Sequence, residues 1–252
     1  MPRYFIEVSY NGRKYSGFQA QHNANTVQAE IEKAFGILQK DTLVLTPSSR
    51  TDAGVHAIQN FFHFDYEMEL HSQFVYKMNA ILPGDIVIRG MKVMKAEAHS
   101  RFDAVSREYK YFIYRDKDPF LGDRAFYFPY KLDIDKMMEA AVIVKEYEDF
   151  TSFSKRNTQV KTFRCKVIES EWGWEEKMGG RRVLVYRVKA NRFLRGMVRA
   201  LTATMLKIGR GKMSLEEFRG VIEAKDCTRA SFSVPAHGLF LVEVEYPEGY
   251  MK

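Results

Sequence analysis

Apolar and polar positions alternate almost from the first residue. In RYFIEVSY, Tyr4, Ile6, Val8 and Tyr10 point one way and Arg3, Glu7 and Ser9 the other, the period of a half-buried strand. A Gly- and Asn-rich loop, NGRKYSGFQAQHNAN, follows. Asn25 followed by Gln28 reads as a capping box, opening a helix with Val27, Ile31, Ala34 and Leu38 on its buried stripe. TLVL (42–45) and NFFHFDY (60–66) read as two strands flanking a polar loop. FVYKMNAILP predicts a helix stopped by Pro83, DIVIRGMKVM a strand, and SREYKYFIYR a strand rich in aromatics. DIDKMMEAAVIVKEY predicts a helix with an acidic first turn. The segment from Phe163 to Ala190 predicts a long hairpin turning at Gly179-Gly180. NRFLRGMVRALTATMLKIG predicts a helix capped by Asn191 and closed near Gly209, with Arg192, Arg195 and Arg199 on one face and an apolar stripe opposite. MSLEEFRGVIEA predicts one more helix, and GLFLVEVEYPE a last strand. Long antiparallel hairpins without regular βαβ alternation make the class α+β, with two halves, 1–104 and 105–252, sharing a loose strand–helix–strand rhythm.

Charge sharpens this picture. The chain of 252 residues has a net charge of +7, unevenly placed. Residues 1–126 hold 16 basic against 15 acidic residues, and residues 127–252 hold 23 against 17. From Lys177 to Leu215 there are 11 basic residues and no acid. A one-sign field of that extent either faces solvent or attracts a polyanion such as nucleic acid. No run of about 18 apolar residues predicts a membrane span. The first residues enter a strand directly and hold no signal-peptide core. Cys165 and Cys227 are too few for a disulfide framework and lack metal-ligand spacing, so a reducing, cytoplasmic setting is expected.

The chemistry gathers at SRTDAGVHA, residues 49–57. Asp52 in Asp-Ala-Gly fits an ordinary Asx-turn, with Gly54 supplying positive φ. It also fits a reactive carboxylate, if a guanidinium keeps it ionised in a partly dry cleft. A metal site would pair Asp52 with His56, but further ligands are missing, and a serine nucleophile would need an elbow that Ser48 and Ser49 lack. Arg199 could supply the guanidinium, or could belong to an amphipathic surface helix. Tyr109 could pack flat on a base, or could be a core aromatic. Taken singly, these residues do not decide.

Taken in order, the motifs do more. YNGRKYSGFQAQHNANTVQAEIEKA, SSRTDAGVHA, KMNAILPGDIVI, AHSRFDAVSREYKYFIY, FLRGMVRALTATMLKIGRG and VPAHGLFLVEVEYPE span nearly the whole chain. This series resembles the tRNA pseudouridine synthase A family. The resemblance implies a pseudouridine synthase fold, two similar antiparallel-sheet halves with flanking helices and a central basic cleft. It implies that Asp52 is the catalytic nucleophile, that Arg50 helps displace the target nucleotide, that Tyr109 packs on the base and that Arg199 partners Asp52. It further implies uridine at roughly positions 38–40 of the tRNA anticodon arm as substrate, a homodimer, and no metal or organic cofactor. Arg181, Arg182, Arg195, Lys207, Arg210 and Lys212 are then expected to meet RNA phosphates. The chain departs from the family pattern at Ile58, at Ala200-Leu201-Thr202-Ala203, and at Phe232 within RASFSVPA. Three other readings stand beside this one: the same chemistry at another RNA position, a non-catalytic RNA-binding protein, and a metal-dependent phosphodiester hydrolase using Asp52 and His56.

Overall fold

A computed structural model describes residues 1–156, 160–177 and 180–251. The chain forms two compact units, Met1–Arg107 with Phe240–Lys252, and Glu108–Leu239. Both mix helices with mostly antiparallel strands, so the α+β class stands.

In the first unit the strands are β1 (Arg3–Tyr10), β2 (Thr46–Pro47), β3 (His56–Asp65) and β4 (Ile86–Met94), with β9 (Leu239–Glu245) returning from the far end of the chain. Their order is β4-β1-β3-β9, with β2 alongside β3. β1 pairs antiparallel with both β3 and β4, whereas β9 runs parallel to β3 at His56 and Ala57. Helices α1 (Val27–Gln39) and α2 (Phe74–Ile81) contribute Ile31, Phe35, Phe74 and Met78 to the core. Phe35 sits edge-on to both Phe64 and Phe74. Two expectations change here. The cap of α1 is Thr26, whose side chain accepts the Ala29 N–H, while the Gln28 side chain accepts the Ala20 N–H at Oε1. TLVL is not a strand, because only Leu45 finds a buried position and Val44 is exposed. β1 is also covered on its second face, where Phe5 meets His63, Tyr246 and Tyr250.

That second face carries a titratable group. His63 is buried, stacks on Phe5 and accepts the Ser100 N–H at Nδ1. Burial, and secondly the charge of Arg3, push its imidazole down from 6.5 to about 4. Protonation therefore favours the unfolded chain. This share of the stability is complete above about pH 6.5 and is lost as pH falls toward about 4. The melting temperature is expected to be lower at pH 5 than at pH 7.5, and His63→Gln, which cannot titrate, should shrink that difference. An equal pH effect in the variant would place its origin elsewhere.

The second unit holds most of β5 (Ser106–Tyr114), β6 (Phe126–Tyr127), β7 (Val167–Lys177) and β8 (Arg181–Ala190). β8 lies between β5 and β7, and β7 and β8 form the expected long antiparallel hairpin. Of its expected turn, Gly179 lies outside the described residues. Helix α3 (Ile134–Val144) packs on β7, and α4 (Met197–Gly209) and α5 (Leu215–Glu223) pack against α3. Asp133 caps α3, and Ser214 with Glu217 forms a complete capping box on α5. Among the described residues, no helix is long and apolar enough to cross a membrane.

Helix α4 is the largest correction. Residues 192–195 are not helical, and the helix starts only at Met197. Its cap, Gly196, has φ of 78°, a left-handed conformation that ordinary side chains rarely adopt. Asn191 does not cap it, for its side chain accepts the Lys166 N–H instead. The helix is buried nearly all round: even Thr202 and Thr204 are enclosed, with their hydroxyls donating back to the Val198 and Ala200 carbonyls. Arg195 and Arg199 thus form no ladder on one helical face, and α4 is a core helix with few outlets.

Candidate active site

The loop 48–55 joins β2 to β3 and is braced from below by the segment after β1. Phe18 N–H donates to the Thr51 carbonyl at 3.1 Å, and Gly54 N–H to the Tyr15 carbonyl at 3.2 Å. Val55 N–H donates to the Asp52 carbonyl at 3.1 Å, closing a turn in which Gly54 has the expected positive φ, 77°. The brace needs Gly12: a Cβ built there would sit 1.9 Å from the Val55 carbonyl oxygen. Tyr15, itself buried, donates its hydroxyl to Asp85 at 2.5 Å and fixes the bracing segment to the residue before β4. In this setting Ser48, Ser49 and Thr51 are buried, Asp52 is half-buried and Arg50 is exposed. A carboxylate at the rim of a rigid loop can meet a substrate without first being dug out of the core.

His56, the other half of the hydrolase reading, is placed differently. It is 2% exposed, its Nδ1 accepts the Gly12 N–H at 3.2 Å, and its ring stacks on Phe240 at 4.4 Å. The bond to Nδ1 puts the ring proton on Nε2 in the neutral form. His56 is therefore built into the brace, which suits a structural role better than a metal-bound or acid–base one. Among the described residues, no group of three His, Cys, Asp or Glu is disposed to hold a metal ion.

In the second unit, Tyr109 on β5 is 9% exposed, and Phe193 meets it edge-on at 5.0 Å. Sequence reasoning passed over Phe193; an aromatic inside the acid-free basic run was the available signal. Tyr111, two residues along, is a core residue: it is fully buried, and burial pushes its phenol far up. Its hydroxyl donates to the Pro235 carbonyl at 2.7 Å. Arg199, half-buried on α4, donates from Nε and Nη2 to the neighbouring Val234 carbonyl at 3.0 and 2.7 Å. The structure thus gathers Arg199 and Tyr111 on the segment Val234-Pro235, a grouping the sequence did not suggest.

The remaining basic candidates also belong to the second unit, and they differ in how their charge is met. Arg181 pairs with buried Asp118 and lies over Phe120. Arg182 lies over Trp174 at 5.1 Å, and Arg210 over Tyr130 at 3.9 Å. Arg195 is exposed and contributes its carbonyl to the Lys155 N–H at 2.9 Å. Lys207 is half-buried in the last turn of α4, and its carbonyl accepts the N–H of exposed Lys212 at 2.8 Å. Arg182 and Arg210 thus lie over aromatic rings, while the charge of Arg181 is met by a buried carboxylate.

Comparison with known proteins agrees with the motifs. A family model described as tRNA pseudouridine synthase matches residues 147–247. The tRNA pseudouridine synthase A of Parabacteroides distasonis is 45% identical over 98% of this chain and 97% of its own length. That of Porphyromonas gingivalis is 42% identical over 98% of both chains, and that of Bacillus subtilis 38% identical over 95% of this chain and 97% of its own. With whole-length similarity of this degree, and the motif around Asp52 in a braced, half-buried loop, the chain belongs to the tRNA pseudouridine synthase A family of isomerases.

Proposed function

We propose that this chain converts uridine to pseudouridine in tRNA, at positions 38–40 of the anticodon arm, with Asp52 as nucleophile. The observation that carries the reading is the braced loop that offers a half-buried Asp52 in a chain of this family. The reaction breaks the N1–C1′ bond, turns the uracil and joins C5 to the same carbon. C5 gives up its hydrogen as a proton and N1 gains one, so the formula is unchanged. No electrons are exchanged and no water is incorporated, so this chemistry requires neither a redox cofactor nor a metal.

A carboxylate serves such a reaction by forming a transient bond to the substrate, which divides one difficult step into two easier ones. Arg199 is assigned the role of charged partner that orients Asp52 during the reaction. Arg50, exposed two residues before Asp52, is assigned to displace the nucleotide from its stack, since chemistry on a base needs it extruded. Tyr109 holds the extruded base by stacking, worth about 1–3 kcal/mol. Arg181, Arg182, Arg195, Lys207, Arg210 and Lys212 hold the RNA by its phosphates, leaving selectivity to RNA shape. The working form is a cytoplasmic homodimer.

Nucleotide-resolution mapping tests the substrate. Unmodified tRNA incubated with the protein should acquire pseudouridine at positions 38–40 and nowhere else. Modification confined to another arm would keep the chemistry and overturn the proposed target.

A further inference from the structure

We infer that Asn60, acting together with Tyr10, is a positioning residue for the reaction at Asp52. The inference rests on the proposed role of Asp52 and adds the residues that hold it in place. Asn60 is an amide in the apolar run NFFHF of β3, and it is 0% exposed. A buried amide is costly unless its donors and acceptor are satisfied. Here they are. Nδ2 donates to the Ser49 carbonyl at 3.0 Å and to the Tyr10 hydroxyl at 3.3 Å. Oδ1 accepts from Ser48 Oγ at 3.0 Å and from the Phe61 N–H at 2.9 Å. The Ser49 carbonyl can only accept and the Phe61 N–H can only donate, so the amide orientation is fixed by its neighbours. The Tyr10 hydroxyl continues the chain to Thr51 Oγ1 at 2.7 Å.

The network serves the loop more than the strand. β3 is already held by its ladder to β1, in which Asn60 lies opposite Val8. The loop has no ladder of its own beyond residue 48, and these side chains anchor it at Ser48, Ser49 and Thr51, the residues on either side of Arg50 and just before Asp52. Misplacement of a reacting group by about 1 Å costs on the order of 100-fold in rate. A residue that sets the loop's position therefore acts on turnover and leaves RNA affinity alone.

Steady-state and single-turnover kinetics on tRNA test this with Tyr10→Phe, Asn60→Leu and Asp52→Ala side by side. Tyr10→Phe should lower kcat about tenfold and Asn60→Leu about 100-fold, with KM and the tRNA dissociation constant unchanged. Wild-type kcat in folded Tyr10→Phe and Asn60→Leu overturns the inference, as does a loss confined to KM. Should Asn60→Leu not fold, Tyr10→Phe decides, because it removes one hydroxyl and keeps the ring. If Asp52→Ala stays active, the proposed function fails and this inference with it. If Asp52→Ala is inactive while the Tyr10 and Asn60 variants match wild type, only this inference fails.

Discussion

Asp52→Asn should stop pseudouridine formation while leaving the fold and the binding of tRNA in place. The substitution keeps the size of the side chain and its ability to accept a hydrogen bond, but removes the charge that makes a carboxylate nucleophilic. The Val55 N–H that closes the turn donates to the Asp52 backbone carbonyl, a bond the change leaves in place. Loss of a nucleophile typically costs on the order of 10⁴-fold or more in turnover. Single-turnover rates on saturating tRNA, with thermal melting to verify folding, read this directly. A variant that is folded, binds tRNA and retains more than about a tenth of the wild-type rate would remove Asp52 from the nucleophile's role.

Gly12→Ala should be the most damaging small substitution in the first unit. The added Cβ would lie 1.9 Å from the Val55 carbonyl oxygen and 2.6 Å from its carbon. These are backbone atoms, which cannot rotate away, so either the segment after β1 or the loop ahead of β3 must shift. Overpacking of this kind costs about 1–3 kcal/mol and occasionally more, and a backbone obstacle puts Gly12 at the upper end. The Gly12 N–H bond to His56 would be strained in the same movement, and Asp52 would move with its loop. A melting temperature about 10 °C lower is expected, with a loss of turnover in whatever remains folded. Gly84→Ala is the control, since its Cβ meets nothing within 4 Å. Similar melting temperatures for the two variants would show that the brace yields, and that the close approach at Gly12 does not fix the loop.

Features carried by local pattern were legible in the sequence. The strands β1 and β3, the stop of α2 before Pro83 and the Ser214–Glu217 box all act within a few residues, and the structure shows each of them, although both strands are buried on more than one face. The start of α4 was misread because Leu194 and Met197 keep helical spacing across Gly196; the left-handed glycine interrupts the chain without interrupting the pattern. TLVL was misread because a short apolar run beside a two-residue strand has no partner of its own. The loop around Asp52 was visible because its motif is contiguous. The bonds that hold it were not, for Asn60 and Tyr10 lie 50 positions apart and meet only through the β1–β3 pairing. The convergence of Arg199 and Tyr111 on Val234-Pro235 was hidden for the same reason, since three separate segments supply it.

The central claim is that this chain exchanges an N1–C1′ bond for a C5–C1′ bond in tRNA. That exchange must expel the hydrogen on C5 of the target uracil, so the most direct measurement uses tRNA carrying tritium at C5 of its uridines. Wild-type protein should release tritium to water, in an amount that plateaus at the number of target positions per tRNA, while the RNA chain stays intact and Asp52→Asn releases none. No release from tRNA that the wild-type protein demonstrably binds, or equal release by the variant, would contradict the account.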